Sequence, residues 1–219
     1  MKRVLVSVEG QTEETFVREI LRKHLWKYNV DIEPIIVSTS RVKQGKKFKG
    51  GLLSYAKAQN EVKQLLHDTN ATAITTLYDM YHLPTDFPSY STRPAGSGQT
   101  KAIYLERAFK EDINSSRFHP HLQVHEFEAF LFVNPERTAA LFPEKNLVEQ
   151  LLKIRRAFPT PEDINDSPIT APSKRIEKLY PNYDKPLYGP LAVLEIGLDA
   201  LRAECPHFSS WLVWLENLG

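Results

Sequence analysis

The chain has 219 residues, 42% apolar and 25% charged, with a net charge of +1. That is the make-up of one soluble globular domain, or of a domain with a helical appendage. So small a charge excludes a wholesale basic surface, and any contact with nucleic acid must come from a local patch. A single cysteine, Cys205, excludes an internal disulfide, and no C-x-x-C pair or Cys/His cluster suggests structural zinc. No signal-peptide core is seen and no apolar run approaches membrane-spanning length, so a cytoplasmic protein without a membrane is expected.

Lys2 to Phe16 organises the rest. Val4, Leu5, Val6 and Val8 form an apolar, β-branched run that predicts a buried strand. Glu9 stands at its end, Gly10 suits a turn, Thr12 is the expected N-cap, and Glu13 and Glu14 fall at the positive end of a helix over 15–28. A second strand follows over 32–38. Strand, helix, strand is the opening of a parallel sheet, and such sheets gather ligands outside the carboxyl ends of their strands.

Arg41 to Gly51 is a basic loop holding Lys46, Lys47 and Lys49, of a kind that suits a phosphate backbone or simply stays in solvent. A helix over 55–67 precedes the third strand, 71–78, which also finishes on a carboxylate, Asp79. If the two strands are parallel neighbours, Glu9 and Asp79 meet at one rim. Close carboxylates raise a pKa or recruit a cation, and oxygen ligands of this kind suit Mg²⁺. The Pro- and Gly-rich stretch 80–98, with His82, reads as a loop flanking that rim, and a helix resumes over 100–109.

A short strand at Leu122–Val124 leads to Glu126 and Glu128. If the strand persists the two share a face; in a helix they diverge by roughly 200°. One of them is expected to point at the rim. His119, His121 and His125 follow no recognised zinc spacing, though a histidine beside the acids would suit acid/base work or a phosphate. Beyond Asn134 the chain becomes helical. Asn134-Pro135-Glu136 reads as a helix start, and 159–172 reads as a linker. Lys174 and Arg175 fall in the first turn of a helix, the wrong end for the macrodipole, which suggests an anion there. Trp211, Trp214, Leu215 and Leu218 make a ridge expected in the core.

Three blocks, Val8-Glu9-Gly10-Gln11-Thr12-Glu13, Leu77-Tyr78-Asp79-Met80-Tyr81 and His125-Glu126-Phe127-Glu128-Ala129-Phe130-Leu131-Phe132, occur in an order that resembles the DUF4276 family, bacterial proteins of Toprim-like type. Pro172-Ser173-Lys174-Arg175 and the segment from Cys205 to Trp211 resemble that family's tail. The resemblance implies an α/β fold. A Toprim-like core with a mainly parallel sheet flanked by helices would occupy 1–133, and a C-terminal helical region packed on it 134–219. It also implies Glu9 as general acid/base and Asp79 as the first aspartate of a magnesium-holding pair. Tyr81 occupies the second aspartate's place, so Glu126 or Glu128 must complete the site.

The function expected is a Mg²⁺- or Mn²⁺-dependent nuclease related to overcoming-lysogenization-defect proteins, acting on DNA or RNA. Glu9, Asp79 and Glu128 (or Glu126) would hold the ion, with Lys46, Lys47, Lys49, Lys174 and Arg175 on neighbouring phosphates. An AAA-type ATPase partner and a phage-defence setting come from the resemblance alone. Two other readings stand beside it. One is a catalytically inactive Toprim-like subunit that binds nucleic acid or the ATPase; the other is a hydrolase or phosphotransferase acting on a small phosphorylated substrate.

Overall fold

Strand β1 (Lys2–Val8) runs through the middle of a sheet in the computed structural model, which describes residues 1–37, 54–144, 146–164, 167 and 169–219. β2 (Val30–Ile36) lies on one side of it and β3 (Ala73–Asp79) on the other, both parallel to it. Two short strands, β4 (Phe118–His119) and β5 (Leu122–Gln123), pair in parallel with successive parts of β3. The order is β2-β1-β3-β4, with β5 beside the end of β3.

A central strand with both faces covered should be apolar on both, and β1 is buried from Val4 to Val8. Its alternation sorts the core. Val4, Val6 and Val8 join one apolar cluster and Leu5 the other.

Helix α1 (Gln11–Phe16) continues through a π turn (Val17–Leu21), α2 (Arg22–Leu25) and a 3-10 turn (Trp26–Tyr28). The helix therefore starts at Gln11 rather than Thr15. Its N-cap is Gly10, not Thr12, and the Gly10 backbone is extended, so no glycine-only conformation is needed there. Asn29, left-handed at φ 57°, ends the stretch.

Helices α3 (Tyr55–Leu66) and α4 (Gly98–Ile113) cover the face that carries Leu5, Ile74 and Tyr78. The stretch before α4 is anchored through Phe87, which packs edge-on against Tyr55 and Phe109 at 5.2 and 5.1 Å. Gly98 is a close approach. A Cβ there would lie 2.4 Å from Val124 Cγ1, so the start of α4 can reach β5 only without a side chain.

The other face is covered by α1, α2 and the C-terminal half. That half contains α5 (Pro135–Ala139), α6 (Leu147–Arg155), α7 (Pro172–Leu179), α8 (Lys185–Ile196), α9 (Leu198–Glu204) and α10 (Pro206–Glu216). Asn134 caps α5 as expected, its side chain accepting from Arg137 N at 3.0 Å. Phe208, Trp211, Leu212 and Leu215 of α10 share one core cluster with Val4, Val6 and Phe16. Trp211 Nε1 also donates to Thr75 Oγ1 at 3.0 Å, which ties α10 to β3. Among the described residues no helix is long and apolar enough to cross a membrane.

Candidate functional site

Sheet register brings the first two acids together. Val8 is the partner of Leu77, so the chain leaving β1 and the end of β3 emerge side by side, and Asp79 N donates to Glu9 Oε1 at 2.8 Å. β5 pairs Leu122 and Gln123 with Tyr78 and Asp79, which delivers the segment after β5 to the same rim. There His125 takes a left-handed backbone, φ 61°, and a 3-10 turn (Phe127–Phe132) begins after an extended Glu126. That break sends the two glutamates apart while keeping both at the rim.

Glu128, fully buried, lies with its Oε2 3.1 Å from Lys185 Nζ and accepts from Tyr183 OH at 3.3 Å through Oε1. Glu126 has a different partner. It accepts from Ser173 N at 2.8 Å and Ser173 Oγ at 3.0 Å, so the anion at the start of α7 is one of the protein's own side chains. Glu128 is the glutamate that joins Asp79.

Lys185, in the first turn of α8, is the hub. Its Nζ lies 3.1 Å from Asp79 Oδ2 and 3.9 Å from Glu13 Oε1. Asp79 Oδ1 in turn accepts from Phe127 N at 2.9 Å. The helix can lie this close because residue 189 is glycine. A Cβ there would meet Thr12 Cγ2 at 3.0 Å and Phe127 Cε1 at 3.2 Å. Glu13 is buried in the first turn of α1 and faces the rim, whereas Glu14 turns outward to Arg18.

The charges at the rim do not balance. Burial, then Asp79 and Glu13, push Glu9 well above the ordinary carboxylate range. Burial raises Glu13 to about 7 against the pull of Lys185, with Asp79 adding to the rise. Glu128 also reaches about 7, through burial opposed by Lys185 and reinforced by Asp79 and Glu126. Glu126 is raised by burial and Asp79, with the Ser173 bonds pulling the other way. Burial alone would lower Lys185, but Asp79, Glu128 and Glu13 outweigh it and keep the ammonium charged. His82, on the exposed side of this group, is held below its usual value chiefly by partial desolvation.

A pH test follows. A carboxyl raised in the folded state contributes stability below its unfolded pKa, and loses it as pH climbs through the folded one. Glu128 moves from 4.5 to about 7. With EDTA present, Glu128→Gln should therefore gain on the wild type between pH 5 and 8. The gain is about 3 kcal/mol, or on the order of 6–12 °C in relative melting temperature. A melting-temperature difference that stays flat across that range would show Glu128 to be ordinary.

The basic residues divide. Lys174 is partly exposed, pairs with Glu177 Oε2 at 2.6 Å and feels the charge of Glu126, so it lies at the edge of the rim. Arg175 does not join it. Its Nε donates to Thr170 O at 2.7 Å and its guanidinium lies over Phe158 at 5.2 Å, a packing role. Lys46, Lys47 and Lys49 lie outside the described residues. Tyr81, at the position of the expected second aspartate, packs edge-on against His82 at 4.6 Å.

Sequence reasoning missed Glu13 and Lys185. Glu13 falls where the helix macrodipole alone already favours an acid, which hides its place at the rim. Lys185 carries the same signal as Lys174, a cation in a first turn where the dipole opposes it.

An α/β protein with an acidic cluster at the carboxyl rim of a parallel sheet is thus defined. The chain belongs to the family described as domain of unknown function DUF4276, whose family model matches residues 8–216, nearly its whole length. No curated protein and no solved structure matches it.

Proposed function

We propose that this protein is a Mg²⁺-dependent, Toprim-like nuclease that hydrolyses phosphodiester bonds of DNA or RNA. The observation that carries the reading is the meeting of Glu9, Asp79 and Glu128 at one rim, around a single ammonium that does not balance them. The donor set is all oxygen, as Mg²⁺ or Mn²⁺ requires. Glu128 Oε2 is met by the charge of Lys185 at 3.1 Å. With Lys185 standing among them the three carboxylates are not drawn together as closely as one ion requires; Glu9, Asp79 and Glu128 would hold it once their side chains close in. When bound, such an ion supplies an activated water and charge for the leaving oxygen.

The chain's own groups do the rest. Glu9, with its raised affinity for a proton, suits the general acid/base role that the Toprim resemblance implies. Lys185, partly exposed at the rim, would offer its positive charge to a phosphate oxygen. Lys174 offers a further positive charge at the edge. An AAA-type ATPase partner and a part in phage defence belong to the same proposal and rest on family resemblance, and a cytoplasmic location, read from the sequence, goes with them.

The experiment compares plasmid, single-stranded DNA, RNA and free nucleotides with Mg²⁺, Mn²⁺ or EDTA. Cleavage of a polynucleotide that EDTA stops is expected. Turnover of small phosphorylated compounds alone would move the protein to the small-substrate reading. A second reading has its own observation: Lys185 already engages two of the three acids, as in a non-catalytic subunit whose site is closed by its own lysine. Binding of polynucleotide without any cation-dependent cleavage would favour that one.

A further inference from the structure

A second cluster lies away from the acidic rim, between α4, the link joining β4 to β5, and the start of α10. We propose that Glu106, His121 and His207 bind one divalent transition-metal ion of the zinc class, and that this ion fastens α10 to α4 and to the sheet. One ligand atom from each lies within 4.8 Å of the others, and among the described residues this is the group of acids and histidines so placed. Glu106 Oε1 is 2.9 Å from His207 Nε2 and 3.7 Å from His121 Nδ1. Ligands at roughly 2.0–2.1 Å from a tetrahedral zinc stand about 3.3 Å apart, between those two values.

The 3.7 Å separation is informative by itself. It is too long for a hydrogen bond between His121 and the carboxylate, yet suitable for two ligands of one ion. A plain ion pair would account for Glu106 and His207, but not for His121 Nδ1 facing the same carboxylate oxygen. His121 is 2% exposed and its Nε2 has no hydrogen-bond partner. Ligation through Nδ1 puts the ring proton on Nε2. Gln123 lies against that ring with both amide atoms unpartnered, so its oxygen can take the proton's hydrogen bond.

Each ligand is fixed before any ion arrives. His121 exchanges two bonds with Thr76 Oγ1, donating to it from N at 3.0 Å and accepting from it at O at 2.9 Å. Its ring stacks on Trp211 at 4.4 Å and on His207 at 5.0 Å. Glu106 Oε1 accepts from Leu122 N at 2.7 Å. His207 N and Phe208 N both donate to the buried carboxylate of Glu162, at 2.9 Å each. Such preorganisation separates a ligand set from a chance meeting of polar groups.

The test uses the full chain, stripped with chelator and reloaded with Zn²⁺ or Co²⁺ under excess Mg²⁺, which occupies oxygen-only sites without competing for imidazole. One equivalent of Zn²⁺ per chain is expected, and Co²⁺ should give the visible absorption of a low-coordinate site. His207→Gln and Glu106→Gln, which keep the bulk of each side chain, should weaken binding at least 100-fold. Should the variants fail to fold, X-ray absorption on the zinc-loaded wild type decides, with two imidazoles in the shell expected. No uptake by the wild type, undiminished uptake by folded variants, or an all-oxygen shell would overturn the proposal. None of these outcomes bears on the nuclease reading, which rests on other residues.

Discussion

Asp79→Asn is expected to lower Mg²⁺-dependent cleavage about 10³-fold, the several kcal/mol that a correctly held ion contributes to a phosphoryl transition state. Asp79 is bonded to three parts of the rim. Oδ1 fixes Phe127 N, Oδ2 meets Lys185, and its own amide positions Glu9. Asparagine keeps the amide and the acceptor for Phe127 but removes the negative charge that an ion needs. The fold should survive, because Asp79 is among the charges that raise Glu9, Glu13, Glu126 and Glu128. Its loss relieves repulsion as well as weakening the hold on Lys185. A melting temperature within a few degrees of wild type should therefore accompany the lost activity. Cleavage by the Asp79→Asn variant at the wild-type rate would remove Asp79 from the chemistry.

The frame of this site was legible in the sequence because it follows from strand order. Two apolar runs ending on acids, in a sheet whose crossovers make neighbours parallel, had to put Glu9 and Asp79 at one edge. The choice between Glu126 and Glu128 was not legible, since it turned on where the strand gave way. The left-handed His125 and the 3-10 turn after it decided that through local backbone geometry. Lys185 was harder still. Sequence separation of 106 residues lies between it and Asp79, and the approach of α8 depends on what Gly189 leaves open against Thr12 and Phe127. The histidines show the same limit from another side. His121 gave no zinc spacing because its expected partners come from a helix before it and a helix far after it.

Replacing Lys185 by methionine should separate the two readings of the rim. Without a positive charge at its centre, Asp79, Glu128 and Glu13 would face one another across a space lined by buried carboxylates. Removing one partner from a buried ion pair costs about 3–5 kcal/mol. The Lys185 side chain is 34% exposed, so roughly 2–3 kcal/mol is the better expectation, or on the order of 5–10 °C in EDTA. That loss should be smallest near pH 5, where protonation of Glu13 and Glu128 relieves the repulsion, and grow toward pH 8, as the raised proton affinities of those two require. Mg²⁺ or Mn²⁺ should restore more stability to the variant than to the wild type, because a divalent ion no longer competes with the ammonium for Asp79 and Glu128. Isothermal titration should accordingly show binding at least about tenfold tighter than wild type. Cleavage should nevertheless slow, since the positive charge meant for a phosphate oxygen is gone. Tighter metal binding joined to slower cleavage fits a lysine that yields its place to the ion and then acts on substrate. Unchanged affinity and unchanged stability would mean that Lys185 and the ion never share the same carboxylates, and the picture of the rim as one charge-coupled unit would fail.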